Sequence, residues 1–497
     1  MQFISTRGGA KVTGAEAVVR GMAEGGGLYV PEQFPVISAE ELKTMLELDY
    51  PERAAFILGK FFDEYPQDEL LEALKAAYSQ YDSEDPVPLV KIEDDLFILE
   101  LFHGPTCAFK DMALTVLPYL LRKGCDLLKI KEELLVLTAT SGDTGKAALE
   151  SFKDLKGVKV SVFYPEEGVS KMQKLQLCTQ EGDNLDVVAV KGNFDECQAA
   201  IKKIFRSQEC RDKLKEKGIL LSSGNSINFG CLAPQIAYYL SAYLDLVSSE
   251  QIEMGALVDF AVPTGNFGNI LAAYYAKRMG LPVGTLICAS NRNNVLTEFM
   301  NKGVYDKKRP AFRTMSPSMD VLVPSNLERL IFELSGRDSA LTIERMKSLA
   351  GSGKYSLRAE ELQALKSSFY GGYASEEDTV ECVYEFFEEF NYPLDTHSGV
   401  AMHVARLYTR KRMEEIDAEP RPMVVVSTAS PYKFPQAVYY ALTGNDVKDS
   451  FKGVKRINLI TAMTVPEALK SLRYKPIHFK TVVAPDKIFE EVMNFIN

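Results

Sequence analysis

Val258-Asp259-Phe260-Ala261-Val262-Pro263 leads directly into Thr264-Gly265-Asn266-Phe267-Gly268-Asn269, and then into an amphipathic stretch over 269–279. An apolar run of strand length, a polar turn with two glycines and a helix start form the opening of a βαβ unit. Two glycines let the backbone approach a ligand closely, and the helix start offers unpaired N–H groups to an anion. The same residues also fit a plain strand-to-helix turn, so the stretch decides nothing until its neighbours are read.

The neighbours repeat the pattern. Strand-like runs over 134–137, 159–163, 185–190 and 423–426 precede helical spacing near 145–154, 169–181, 194–207 and 433–442. Repeated strand-then-helix units predict an α/β protein whose parallel sheets are covered by helices. Residues 1–85 read as mostly helical, with apolar spacing over 14–24, 39–48, 51–63 and 67–80. A short extended piece is predicted at Leu28-Tyr29-Val30-Pro31, after Gly25-Gly26-Gly27. The stretch 300–375 is less regular, and 351–356 and 370–375 read as loops.

At 497 residues the chain is too long for one core. Its net charge of −11 and its short basic clusters (Lys307-Lys308-Arg309, Arg410-Lys411-Arg412) argue against a nucleic-acid partner. Eight scattered cysteines without a C-x-x-C pair argue against a zinc site or disulfide framework and fit a reducing compartment. With no signal-peptide design and no apolar run of membrane length, a cytoplasmic location is expected. His397 and His403 are six apart and fall on different sides of a helix, so no metal site is expected.

Ligands of open α/β sheets bind where strands end and helices begin, and three further junctions are polar. Thr138-Ala139-Thr140-Ser141-Gly142-Asp143-Thr144-Gly145-Lys146 resembles a P-loop, but Thr140 replaces its first glycine and Ala147 its magnesium-binding hydroxyl. It remains a candidate anion cradle. Ser222-Ser223-Gly224-Asn225-Ser226-Ile227-Asn228 suits a zwitterionic substrate or an Asx-type turn. Ser427-Thr428-Ala429-Ser430-Pro431 places hydroxyls at a strand end, where a helix cap is the alternative. Lys110 follows the small and aromatic segment Thr106-Cys107-Ala108-Phe109, and apolar surroundings would lower its pKa and free its amine for Schiff-base chemistry. His103, in the same loop, fits packing as well as catalysis.

Six segments in order resemble the threonine synthase family of fold-type II pyridoxal 5′-phosphate (PLP) enzymes. They are Ser5–Gly8 with Gly26–Pro31, His103–Asp111, Thr138–Gly145, Asn225–Asn228, Pro263–Asn269 and Ser316–Asp320. The resemblance implies a mostly helical N-terminal domain over 1–85 and a two-part catalytic region over 86–450, whose smaller part is roughly 130–220. A C-terminal extension over 451–497 would pack on it. It implies Lys110 as the catalytic lysine that carries PLP as an aldimine and shuttles protons. Gly265, Asn266, Phe267, Gly268 and Asn269 would hold the cofactor phosphate, with Thr428 facing the pyridine nitrogen. Ser141, Gly142, Asp143, Thr144, Asn225, Ser226 and Asn228 would line the substrate's carboxylate and phosphate. The implied reaction turns O-phospho-L-homoserine and water into L-threonine and phosphate through aldimine and quinonoid intermediates. Long family members can be monomeric, so a monomer is expected, with a dimer as the alternative.

The chain departs from the family pattern twice. Cys231 stands where an arginine is usual, and Ser430 where a histidine is usual. Losing an arginine removes a bidentate phosphate clamp, which leaves Lys146 or Arg313 as substitutes. It also keeps open a phospholyase that releases a 2-oxo acid, ammonia and phosphate. A non-catalytic binding paralogue is the reading of a different class, opposed by the intact Lys110 and Gly265–Gly268.

Overall fold

A computed structural model describes residues 1–416 and 421–497. The N-terminal helices Gly14–Arg20, Ala39–Thr44 and Tyr50–Phe61 each start at a capping box, with Thr13/Glu16, Ser38/Glu41 and Asp49/Glu52 satisfying each other's end groups. Strands β1 (Gln2–Ser5), β2 (Val12–Thr13) and β3 (Tyr29–Pro31) add a small antiparallel sheet of order β2-β1-β3. Of these, only the region of β3 shows in the sequence as extended; β1 and β2 are too short to carry a period.

The rest of the chain supplies β4 (Leu89–Glu93), β5 (Leu96–Glu100), β6 (Glu133–Ala139), β7 (Val158–Pro165), β8 (Leu185–Val190) and β9 (Ile219–Ser223). These are followed by β10 (Val258–Pro263), β11 (Val283–Ser290), β12 (Val304–Asp306), β13 (Lys354–Ser356), β14 (Phe369–Tyr373), β15 (Met423–Ser427) and β16 (Val482–Val483). Five of them form a parallel sheet of order β16-β8-β7-β6-β9, and six form a sheet of order β14-β11-β10-β15-β5-β4. In the larger sheet only β4 is antiparallel, joined to β5 across Asp94-Asp95. Helices cover both faces, which is why strands such as β10 are buried along their whole length and read as unbroken apolar runs.

Each sheet reverses its strand order once. In the smaller sheet the chain steps from β6 outward to β7 and β8, then returns to place β9 on the other flank of β6. In the larger sheet it steps from β10 to β11 and β14, and β15 then lands on the other flank of β10. The crevices past β6/β9 and β10/β15 are therefore the two places where an α/β sheet opens for a ligand.

The stretches 351–356 and 370–375, expected to be loops, contain strands β13 and β14. The glycines misled the reading: they serve close packing here, not chain reversal. A Cβ on Gly371 would lie 2.7 Å from Met300 Cβ, and one on Gly372 would lie 2.5 Å from a methyl of Val404. Two helices thus press against β14 at positions where no side chain fits. Gly371→Ala is expected to cost about 1–3 kcal/mol, as overpacked cores do; a urea midpoint equal to that of the wild type would refute this.

Helix Pro234–Ser248 carries the fully buried Tyr238, Tyr239 and Tyr243 and packs on both the N-terminal helix Tyr50–Phe61 and the catalytic-region helix Gly268–Arg278. Residues past 450 return to the smaller sheet, where β16 pairs with β8. Among the described residues no helix is long and apolar enough to cross a membrane.

Candidate active site

The loops past both crevices line one cavity. Lys110 enters it from a turn that follows β5. Because β5 and β15 are paired, the segments beyond them stay paired as well. Phe109 N–H donates to Thr428 O at 2.9 Å, Ser430 N–H donates to Cys107 O at 3.1 Å, and Ala108 bridges Ala429. The turn is locked from inside by Asp111, whose carboxylate accepts from Thr106 N–H at 2.8 Å and from the Thr106 hydroxyl at 2.6 Å. Gly104 lies where any side chain would strike that carboxylate. Burial pushes the Asp111 carboxyl up to about 6, against the pull of these bonds.

The Lys110 amine keeps some accessible surface toward the cavity but is otherwise enclosed by protein. It sits 4.3 Å from the Phe109 ring centroid. Burial lowers its pKa to about 8, and the weaker influences of Cys231 and Asp143 only partly offset this. A desolvated primary amine that gives up its proton more readily than an ordinary lysine is the nucleophile that a carbonyl cofactor requires.

The loop 264–268 brings the second requirement. Phe267 adopts the left-handed conformation (φ 63°) immediately before helix Gly268–Arg278, and no side chain caps that helix. Its first N–H groups are thus left for an anion. Gly265 packs so tightly on Ser318 that a Cβ would lie 2.5 Å from the Ser318 carbonyl oxygen. Asn269 accepts from Tyr238 and Tyr239 hydroxyls at 2.5 and 2.6 Å, while its buried Nδ2 has no partner. An orphaned donor beside an uncapped helix start fits a phosphate group. These residues, Lys110 and Thr428, which also lines the cavity, fit PLP.

Of the residues expected around the substrate, Ser141, Asp143, Thr144, Asn225 and Ser226 line the cavity. Asn225 also ties β6 to the loop after β9, through Ala139 N–H (3.1 Å) and Ala139 O (2.7 Å). Gly142 and Asn228 stand behind the wall. Gly142 is at φ 128°, and a Cβ there would collide with the Gln173 amide. Asn228 is fully buried and spends its amide on Val18 O, Ser223 O and Gly230 N–H. Both shape the site without reaching into it.

Asp143 lines the cavity as one half of an ion pair. Burial would raise its pKa, but Lys433, 2.8 Å away, together with Gln173 holds it down at about 2. An ionised carboxylate repels a phosphate, and on this wall Ser141 and Thr144 face the cavity while Thr140 accepts from the Gly145 N–H of helix Asp143–Phe152 at 2.8 Å. Lys146 points elsewhere, pairing with Glu150 at 2.6 Å and with Gln180. Arg313 pairs with Glu167 at 2.6 Å in an adjoining cleft that shares Ser141 and Phe194 with the main cavity. Cys231 is buried close enough to Lys110 for their charges to interact, and burial drives its thiol to about 12. Ser430 is fully buried and accepts from Tyr432 N–H at 3.4 Å.

Three residues of this region do not emerge from sequence reasoning. Lys433, with no exposed surface, bridges Asp143 and the Thr106 carbonyl (2.9 Å). His397 lines the cavity, bonded through Nδ1 to Asp395 at 2.7 Å, while its Nε2 accepts from Ser318 N–H at 3.2 Å. The two contacts together fix the orientation of the ring at the cavity wall. Ser318 in turn donates to Asp143 at 2.9 Å. The available signal was the polar quartet Asp395-Thr396-His397-Ser398 immediately before the apolar run Gly399–Met402. His103 is structural: burial lowers its pKa, but bonds to Asp82 (2.7 Å) and Glu100 (2.8 Å) outweigh this and raise it to about 9.

Comparison with known proteins agrees with this arrangement. The pyridoxal-phosphate dependent enzyme family matches residues 82–429, flanked by the threonine synthase N terminus over 2–78 and the threonine synthase C-terminal family over 398–496. The chain is 38% identical over 447 residues to threonine synthase-like 1 of Homo sapiens, covering 88% of this chain and 59% of the length of that relative. It is 38% identical over 446 residues to threonine synthase of Pseudomonas aeruginosa, covering 89% of this chain and 91% of that one. The crystal structure of PLP-bound threonine synthase from Brucella melitensis superposes with a TM-score of 0.85 at 34% identity, over 100% of this chain and 99% of that one. A desolvated lysine facing a phosphate-shaped loop across two joined crevices is thus found in a chain matched end to end, and the chain belongs to the threonine synthase family of PLP-dependent enzymes.

Proposed function

We propose that this protein converts O-phospho-L-homoserine and water into L-threonine and phosphate, with Lys110 as its catalytic base and acid. The observation that carries the reading is the lone, desolvated Lys110 amine in a cavity lined by the uncapped start of helix Gly268–Arg278. PLP, when bound, supplies an electron sink for a carbanion at the substrate's Cα. Lys110 would take the Cα proton and return protons to the carbon skeleton, its backbone held by the pairing of Cys107–Phe109 with Thr428–Ser430. Thr428 would set a neutral hydroxyl, which does not protonate the ring, beside the pyridine nitrogen. Gly265–Asn269 would hold the cofactor phosphate. Ser141, Thr144, Asn225 and Ser226 would orient the substrate, supported from behind by Gly142 and Asn228.

The alternative is a phospholyase that lets the late intermediate escape before water adds at Cβ. Cys231 favours it, since a buried neutral thiol lies close to Lys110 where the family usually has a guanidinium. Product analysis separates the two. Purified, PLP-loaded protein given O-phospho-L-homoserine should release phosphate and threonine in equal amounts; phosphate with 2-oxobutyrate and ammonia would replace the synthase with the phospholyase.

Cofactor uptake carries a pH signature. The neutral Lys110 amine is the reactive form, so attachment of PLP to cofactor-free protein should speed up about tenfold per pH unit below 8 and level off above it. Stopped-flow absorbance checks this, and a plateau reached only near 10.5 would mean that the amine is not desolvated.

The reading extends to organisation and setting. Residues 1–85 would act as an N-terminal domain, 86–450 as the catalytic region and 451–497 as its C-terminal extension, in a monomer. All eight cysteines are free, which supports a reducing cytoplasmic setting.

A further inference from the structure

A second cavity, of about 470 Å³, shares a wall with the cofactor loop but is built from other residues. Arg7, Lys202 and Arg206 converge on it. Desolvation is the main force lowering the pKa of Lys202, to about 8, and that of Arg206; the neighbouring guanidinium charges add to it. Of the carboxylates that line it, Glu196 is held by Asn193 N–H at 2.8 Å, and Glu328 stands near all three cations and is already engaged. It accepts from Arg7 Nε and NH2 at 2.8 and 2.7 Å and from the Thr6 hydroxyl at 2.7 Å. Lys202 donates only to the Ser325 hydroxyl, at 2.7 Å. Among the described residues neither Lys202 nor Arg206 has a salt-bridge partner. Asp195 also faces the cavity, and its carboxylate accepts from Leu322 N–H at 3.1 Å.

Lys202 and Arg206 carry like charge side by side while the nearest carboxylate is taken up by Arg7, and a bound anion relieves their repulsion. The arrangement is held in place. A side chain at Gly26 (φ 77°) would collide with the Arg206 guanidinium, so the bare backbone of the N-terminal segment forms the surface that Arg206 lies on. Leu349 and Tyr355 give the cavity an apolar side.

We propose that this cavity is a binding site for a small organic anion with a phosphate head and an apolar body, held by Arg206 and Lys202. The site connects to the cofactor loop through one residue. Ser325 accepts from Lys202 and donates its N–H to Asn266 Oδ1 at 2.6 Å, inside the loop that faces Lys110. An anion that draws Lys202 away from Ser325 loosens the anchor of Asn266, so occupancy of the site speeds cofactor release. This coupling rests on the proposed cofactor role of Asn266; the binding itself does not.

Calorimetric titration of AMP into the PLP-loaded full-length protein tests the site, with adenosine as the probe that lacks the anion. The expected result is saturable AMP binding, no adenosine binding, and a loss of at least about tenfold in AMP affinity in Arg206→Gln. Arg206 lies at the surface, so this variant should fold, with circular dichroism as the check; Lys202→Met is the second variant and should show the same loss. Absence of saturable AMP binding would overturn the proposal. So would equal binding of adenosine, or AMP binding that survives Arg206→Gln unchanged, which would place the ligand in the Lys110 cavity. Dialysis of wild-type holoprotein with and without AMP reads the coupling: faster loss of PLP absorbance supports it, and an unchanged rate with AMP bound refutes it. Neither readout needs turnover, so failure of the proposed reaction and failure of this site are told apart.

Discussion

Lys110→Ala is expected to abolish covalent attachment of PLP and to lower turnover by at least about 10³-fold. The variant loses both the nucleophile that holds the cofactor and the general base and acid of the proton transfers, and general acid–base catalysis alone is worth about 10²–10⁴-fold. The amine has no hydrogen-bonding partner among the described residues, and no second free amine lines the cavity to replace it. Lys110→Arg separates chemistry from charge, because a guanidinium keeps its proton and cannot act as a nucleophile. It should be as inactive as alanine. Visible cofactor absorbance together with turnover within tenfold of wild type, in either variant, would remove Lys110 from its assigned role.

The second large effect concerns stability. Lys433→Met should destabilise the protein by about 3–5 kcal/mol, because it strands the buried Asp143 carboxylate and removes a donor from Thr106 O. The pH dependence gives the interaction away. In the wild type Asp143 is held at about 2, below its ordinary value, so its contribution is fully present above about pH 4 and is lost as pH falls toward 2. In Lys433→Met the stranded carboxylate should titrate well above 4, so acid protonates it and relieves the strain. The stability gap between variant and wild type therefore narrows as pH drops from 7 to 5. Urea unfolding at both pH values measures this, and adding Asp143→Asn should restore part of the loss. A constant gap would show that Asp143 is not the stranded group.

The sequence was most legible where one physical demand dominates. An apolar strand, a glycine turn and a helix start can be read at 258–279 because each obeys a local rule, and the switch-point crevices follow from strand order. Lys110 was legible through the small and aromatic residues before it. Lys433 was not, since a lysine three positions past Ser430 shows no sign that Asp143, distant in sequence, will meet it inside the protein. His397 was read only as a histidine without a metal-ligand partner, since its contact with Ser318 joins segments far apart in sequence. Asp143 was placed correctly on the wall, but its charge state depends on Lys433 and so was beyond local reading. Strands β13 and β14 failed for the opposite reason. A local rule, that glycines mark loops, was overridden by the helices packed against Gly371 and Gly372.

The position of β15 has a consequence for how the chain is made. This strand lies between β10 and β5, yet it is among the last of the larger sheet's residues to leave the ribosome. Until residues 423–427 emerge, β5 and β10 each present an unpaired edge, and the turn carrying Lys110 lacks the Thr428 segment it zips against. Such edges are sites of wrong pairing between chains, and strands so far apart in sequence join slowly. Nascent chains of this protein thus spend most of their synthesis with the larger sheet split in two, the stage at which unpaired edges are open to aggregation.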